Sequence, residues 1–288
     1  MMDNQMETVD PLVQRFRSLS HDSPDLSEIA PIYEAILPLL RDADLHVTPV
    51  FMTSEQAHAK MAKGLPLLYD LPLEFDYEAA RELMLLLVRA VEQSGENNQK
   101  ARQIRSALEE HRLDAGNLLA YTATGDRNAV NSRAHHLNLN ADLVWTLAQN
   151  AFKPALRVWC RQLAHLAEGI PWQKGSCYVC GAAATLAELQ GNNLVKHLRC
   201  SQCGADWRFP RLQCVHCGNE DHLTLKHLYT ESHLKTMRVE VCDKCHGYLK
   251  VITSFAPASA EMLTVEDLAT LHLNSIAKAR GYEYGVVL

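Results

Sequence analysis

The chain lacks any long apolar run: its longest, Leu83–Val88, falls far short of the ~20 residues that cross a bilayer, so membrane insertion is not expected. It also lacks a surplus of positive charge. The formal charge is -6, and residues 171–288 hold 12 basic against 11 acidic side chains, which leaves 16 against 23 for residues 1–170. Neither part has the positive field or the basic, aromatic-interleaved face that nucleic-acid binding needs. There is no Gly-rich phosphate loop, no G-x-S-x-G elbow and no carboxylate pair placed for acid–base work, so the reading is not an enzyme. The start, Met1–Asp10, is acidic and polar where a secretory signal has a basic start and an apolar stretch, and a cytoplasmic protein is expected. What remains is ordinary for a globular chain of 288 residues: 47% hydrophobic, 22% charged, and long enough for one or two cored domains.

Against that background the cysteines stand out. Eight of nine fall into one repeated spacing, Cys177/Cys180, Cys200/Cys203, Cys214/Cys217 and Cys242/Cys245. Two thiolates separated by two residues sit on one tight knuckle and present both sulfurs to one ion, and two knuckles complete a closed tetrahedral site. In a reducing compartment paired cysteines more often bind metal than form disulfides. Four knuckles therefore predict two mononuclear sites. Four thiolates suit zinc and equally a single iron, and chemistry alone favours zinc because structural zinc is common. Closed coordination leaves no open position for water or substrate, which argues against a catalytic metal.

Residues 1–170 read as helical. Leu83, Met84, Leu87, Val88 and Val91 recur at helical spacing behind Asp76, a candidate N-cap, with Gly95 as the stop. A second strong helix starts after Asn140 with Val144, Leu147, Ala148, Ala151, Ala155, Val158, Trp159 and Gln162 on one face, closed by Gly169 and Pro171. Pro154 is expected to kink or split it. Shorter helices are expected near 27–40, 54–63, 100–112 and 114–121.

From Ser176 the pattern becomes β. Leu186–Gln190, a Gly191-Asn192-Asn193 turn and Leu194–Leu198 read as a hairpin; Leu223–Tyr229, a turn near Glu231-Ser232 and Thr236–Val241 read as another. Knuckle, hairpin, knuckle thus occurs twice. Sequential pairing of knuckles places one hairpin inside each site. Nested pairing would require Ala205–Gln213 to turn back without an obvious turn residue, so sequential pairing is favoured and that segment reads as an extended link. Glycine follows three knuckles (Gly181, Gly204, Gly218), where positive φ is expected, whereas His246 follows the fourth, which is expected to curl less regularly. Histidines 216, 222, 227, 233 and 246 read as surface or supporting groups, since eight cysteines already fill two sites. Trp172 and Trp207 read as packing over the modules, His135-His136 as structural, and Cys160, alone on a predicted helix, as a small buried hydrophobe. A closing helix is expected at about Val265–Arg280, started by Thr264 and Asp267 and ended by Gly281.

These residues resemble the FdhE family of formate dehydrogenase accessory proteins. The likeness rests on Pro171-Trp172 leading to Cys177-Tyr-Val-Cys180-Gly181, on Cys200-x-x-Cys203 followed by Trp207 and Cys214-x-x-Cys217, and on Cys242-Asp-Lys-Cys245 running into Gly247-Tyr248-Leu249-Lys250. The tail Val265-Glu-Asp-Leu268 with Gly281-Tyr282 completes it. The resemblance implies a cytoplasmic maturation factor that engages the formate dehydrogenase catalytic subunit. It also implies rubredoxin-like iron binding with the eight paired cysteines as ligands, which moves the expected cofactor to two irons per chain, zinc being the alternative. A zinc-ribbon nucleic-acid binder and a rubredoxin-like electron carrier are the competing readings. The expected fold class is α+β: an all-α domain over 1–170, then 171–288 as two tandem rubredoxin-like or zinc-ribbon-like β-hairpin metal modules and a C-terminal helix. Site 1 is expected in about 171–207, site 2 in about 208–255 and the closing helix in about 264–281. Oligomeric state is not readable from these patterns.

Overall fold

Short polar residues set the frame of the helical half. The computed structural model describes residues 10–20, 26, 29–94, 98–229 and 236–284. Its helices are α1 (Pro11–Ser20), α2 (Ala30–Asp42), α3 (Ser54–Ala62), α4 (Tyr77–Gln93), α5 (Asn98–Glu109), α6 (Ala115–Ala123), α7 (Arg127–His136) and α8 (Ala141–Leu163). Asp76, Asp114, Asp126 and Asn140 each cap the following helix by accepting a backbone N–H with the side chain, and Thr53 closes a capping box with Gln56. Asp76 and Asn140 act as the sequence predicts; Gly95 lies outside the described residues. Helices α1 and α7 were not expected.

Helix α8 passes through Pro154 as one element, so of the expected kink or split the split does not occur. It is the hub of the helical half, packing on α2, α4, α5, α6 and α7. Its middle is buried all round, including Asn150, Lys153 and Arg157, rather than along the single stripe that periodicity predicts. Packing on every side holds the helix through the donor that Pro154 removes.

The second half is one seven-stranded sheet with strands β1 (Leu186–Gln190), β2 (Val195–Arg199), β3 (Asp206–Arg208), β4 (Leu225–Leu228), β5 (Met237–Cys242), β6 (Gly247–Ser254) and β7 (Glu283–Tyr284). The order is β3-β2-β1-β6-β5-β4, with β7 on β6. Both hairpins form where expected, β1 with β2 and β4 with β5, each antiparallel. The turn near Glu231-Ser232 lies outside the described residues. The extended link proves to be partly a third strand, since Asp206–Arg208 pairs with β2.

The strand that joins the two hairpins was not expected. β6 pairs antiparallel with β5 and parallel with β1, matching Leu186 to Lys250 and Gln190 to Ser254. Its first six residues are buried, as a central strand covered on both faces should be, so it shows no apolar–polar alternation. The closing helix is corrected as well. It is two helices, α9 (Ala260–Ala269) and α10 (Leu271–Ala279), and the first is capped by Ser259 rather than Thr264. Thr264 is buried inside α9, and Gly281 follows α10 at φ +80 as predicted.

The main core crosses residue 170. One continuous apolar cluster runs from Ile36 through Trp159 and Leu163 to Trp172, Cys177, Cys200, Trp207, Leu249 and Val251. A second cluster joins α1 and α2 to α9 through Phe16, Leu37 and Val265, and a third joins β4, β5 and β6 to α10 through Val239, Val241 and Leu273.

Candidate metal centres

The Cys-x-x-Cys spacing folds locally in the same way four times. In each knuckle the N–H four residues after the first cysteine donates to that cysteine's carbonyl, from Gly181, Gly204, Gly218 and His246 at 2.9, 2.9, 3.0 and 2.8 Å. All four residues take left-handed φ, +80, +82, +70 and +56 respectively. Thus the fourth knuckle curls as regularly as the others, contrary to expectation, with His246 in a conformation that favours glycine. It differs only in how the chain leaves the curl. In the first three the cysteine N–H closes the loop onto Ala182, Ala205 and Asn219, whereas Gly247 opens β6 directly.

The hairpins bring the knuckles together in sequential pairs. Cys177, Cys180, Cys200 and Cys203 form site 1, and Cys214, Cys217, Cys242 and Cys245 form site 2; within each, the four sulfurs lie within 4.8 Å of one another. Nested pairing does not occur. Across site 1 the Sγ separations are 3.5 Å for Cys177–Cys203 and 3.5 Å for Cys180–Cys200. Across site 2 they are 3.6 Å for Cys214–Cys245 and 3.8 Å for Cys217–Cys242. A tetrahedron with metal–sulfur bonds of about 2.3 Å has edges of about 3.8 Å, so the donor set fits one tetrahedral ion per site. All eight cysteines are free thiols, so none of these separations is a disulfide.

Backbone and side-chain donors point at the sulfurs. The Val179 N–H donates to Cys177 Sγ at 3.3 Å, the Gly247 N–H to Cys245 Sγ at 3.4 Å, and the Asn219 amide to Cys242 Sγ at 3.5 Å. Such bonds favour the thiolate over the thiol. Burial pushes the Cys177 and Cys203 thiols well above the ordinary range, while hydrogen bonds from Cys177, Cys180 and Cys203 hold Cys200 well below it. In site 2, burial raises Cys214 and pushes Cys245 up to about 11. At Cys242 burial also acts upward, but the N–H groups of Cys245 and Lys244 outweigh it and leave the thiol below its ordinary value.

Site 1 is built into the main core. Trp207 meets Tyr178 edge-on at 6.2 Å and donates from Nε1 to the Lys174 carbonyl, and Trp172 donates to the Ser176 carbonyl. Both tryptophans pack as expected. The helical half reaches over the first knuckle: the N–H groups of Leu67 and Leu68 donate to the carbonyls of Tyr178 and Val179 at 2.7 and 2.9 Å. Only Cys180 is half-buried, at the rim of an open groove of about 1130 Å³ bordered by Tyr69, Trp145 and Phe152.

Site 2 lies nearer solvent, with Cys217 and Cys245 both half-buried. The chain's tail clamps it. Glu283 N–H donates to the His246 carbonyl, Tyr282 donates its hydroxyl to Asp243 at 2.6 Å, and its ring lies 6.0 Å from that of His246. His216 is buried and contacts the Tyr248 carbonyl through Nε2 at 2.9 Å; burial lowers its basicity, so the ring is a neutral support with Nε2 as donor. His222, His227 and His246 are exposed, and among the described residues no histidine joins either sulfur cluster. His233 lies outside the described residues. His135 and His136 end α7 in its last turn.

Sequence reasoning missed a stripe on α8. Lys153, Arg157 and Cys160 are all buried, and Cys160 belongs to the same apolar cluster as Cys177, Cys200 and Cys203 of site 1. A lysine, an arginine and a cysteine at i, i+4 and i+7 on an apolar helix was the available signal.

Comparison with known proteins reaches the second site by residue and the rest of the chain by overall likeness. Residues 212–287 match the family model described as FdhE, C-terminal domain. The Protein FdhE homolog of Shewanella baltica (strain OS223) is 34% identical over 113 residues, 38% of this chain and 36% of that protein. That of Aquifex aeolicus (strain VF5) is 31% identical over 114 residues, 38% and 40% of the two chains. The homolog of Rhizobium meliloti (strain 1021) is 27% identical over 188 residues, 63% of this chain and 55% of its own. The matched stretch thus spans well under two thirds of these relatives' length. The crystal structure of the FdhE protein from Pseudomonas aeruginosa shares the fold, with a TM-score of 0.60, 22% identity, and coverage of 96% of this chain and 94% of that one. With an FdhE C-terminal domain at residues 212–287, curated FdhE homologues among its relatives and the fold of a solved FdhE protein, the chain resembles the FdhE family.

Proposed function

We propose that this chain is a cytoplasmic, non-enzymatic accessory factor for formate dehydrogenase maturation. In this reading it engages the catalytic subunit and carries two irons, one held by Cys177, Cys180, Cys200 and Cys203 and one by Cys214, Cys217, Cys242 and Cys245. The observation that carries the reading is a pair of closed four-sulfur clusters in a chain that matches the FdhE C-terminal domain. Four sulfurs around one ion leave no coordination position for substrate, which favours a role in shape or redox poise over catalysis. A bound iron would supply a one-electron change of charge at a fixed place; the chain's own part is to hold that place rigid through the knuckle hydrogen bonds.

Zinc is the second reading, since four thiolates in tetrahedral array suit it as well as iron and structural zinc is common. Metal analysis and the optical spectrum of the full chain, purified without added metal or chelator, separate the two. Two equivalents of iron with visible sulfur-to-iron absorption support the first, and a colourless protein with two zincs supports the second. Co-purification of the formate dehydrogenase catalytic subunit is the expected partner result. Full formate dehydrogenase activity in a strain lacking this chain would sink the accessory reading. No helix among the described residues is long and apolar enough to cross a membrane.

A further inference from the structure

We propose that Lys153 and Arg157 are counter-cations of site 1, placed by α8 to balance the negative charge of a four-thiolate metal centre. The inference rests on the reading of site 1 as a metal centre.

Four thiolates around a dication carry a net double negative charge, and burying that charge without compensation is costly. Site 1 is the more buried of the two centres, so its need is greater. Helix α8 presents Lys153, Arg157 and Cys160 at i, i+4 and i+7, which places all three on one face. The face lies toward site 1: Cys160 shares one apolar cluster with Cys177, Cys200 and Cys203, and Arg157 pairs with Glu261, whose neighbour Ala260 packs against Gly204 next to Cys203.

The neighbouring carboxylates do not account for these cations. Lys153 and Arg157 are 8% and 5% exposed. Arg157 Nη1 reaches the Leu40 carbonyl at 3.1 Å and Glu261 at 3.2 Å, yet its Nε and Nη2 are buried with no hydrogen-bond partner. Asp267, the carboxylate that attracts Lys153, is already paired with Lys250 at 2.6 Å, and Glu266 with Arg15 at 3.2 Å. Three buried cations thus share Glu261 and Asp267. Burial and the charge of Arg157 push the Lys153 amine down to about 8. A dianionic centre beside Cys200 and Cys203 supplies what is missing. Among the described residues the buried cation nearest site 2 in the cavity lining is already paired: Lys196, which lines the same small cavity as Cys214 and Cys242, meets Glu240.

The test uses the full chain reconstituted with zinc and compares wild type with Lys153→Met and Arg157→Met, and with the charge-conserving Lys153→Arg and Arg157→Lys. Transfer of zinc to a chromogenic chelator is followed in time, and melting temperatures of loaded and stripped protein are measured. Either methionine variant is expected to speed release of one of the two zincs on the order of tenfold or more, leaving the other unchanged. It should also narrow the gap between loaded and stripped melting temperatures, because removing the cation relieves the stripped form. Lys153→Arg is expected to restore slow release. Wild-type release rates in both methionine variants, or equal loss of stability in loaded and stripped forms, would overturn the proposal by reducing these residues to packing. A wild-type chain that takes up no zinc or iron at site 1 overturns the metal reading itself, a result distinct from unchanged release.

Discussion

The two sulfur clusters share one local geometry and differ in what surrounds them. Site 1 places Cys177, Cys200 and Cys203 inside the apolar cluster that also contains Trp159 and Leu87, so the helical half and the first hairpin share its core. Site 2 rests on a small cluster of β4, β5, β6 and α10, and two of its four sulfurs are half-buried. The lesson is that spacing fixes the knuckle, while neighbouring chain fixes how much of the molecule depends on it. Loss of site 1 should be felt everywhere, and loss of site 2 locally.

The largest expected effect tests that division directly. Cys200→Ser should lose one metal and unfold the helical half along with the sheet, since binding of this kind is worth about 10 kcal/mol. Metal content together with far-UV circular dichroism reads both. Cys245→Ser should also lose one metal yet retain most helical signal, with hydrogen exchange rising only in β4, β5 and α10. Equal global collapse in the two variants would erase the distinction between the sites. Next in size, Trp207→Ala should cost about 3–5 kcal/mol by opening a cavity over site 1, measured by denaturant unfolding of the loaded protein. Chelator competition on wild type should show two phases differing about tenfold or more, because the half-buried sulfurs Cys217 and Cys245 admit a competing ligand. A single phase would mean that burial does not control exchange. The smallest effect concerns the fourth knuckle. His246→Gly should change stability by no more than about 1 kcal/mol, the relief of left-handed strain being offset by loss of the Tyr282 ring contact and by glycine's flexibility.

The sites were far more legible in the sequence than the sheet that carries them. Ligand spacing is local, and so are the hairpin turns at Gly191-Asn192-Asn193 and the caps Asp76 and Asn140; each acts over a few residues, and each is found where expected. β6 was hidden because Tyr248–Ile252 shows no apolar–polar alternation and its parallel partner lies far back in the chain. Ser259 was missed as a cap because Thr264-Val-Glu-Asp267 gave a stronger local pattern, which the structure buries inside α9. Lys153 and Arg157 went unread because periodicity assumes water on one face of a helix, and the middle of α8 has protein all round.

The parallel ladder between β1 and β6 also constrains how the chain can fold. Leu186 must find Lys250, closing a loop of more than 60 residues, at an entropic cost of roughly 3–4 kcal/mol if the loop were slack. The two hairpins and the antiparallel β5–β6 pairing take up most of that slack beforehand by short-range steps. During synthesis, site 1 is complete at Cys203 before β6 exists, so the helical half can settle on the first hairpin while the second is still being made. β6 then works as a latch: its docking on β1 converts two separately nucleated pieces into one cooperative unit.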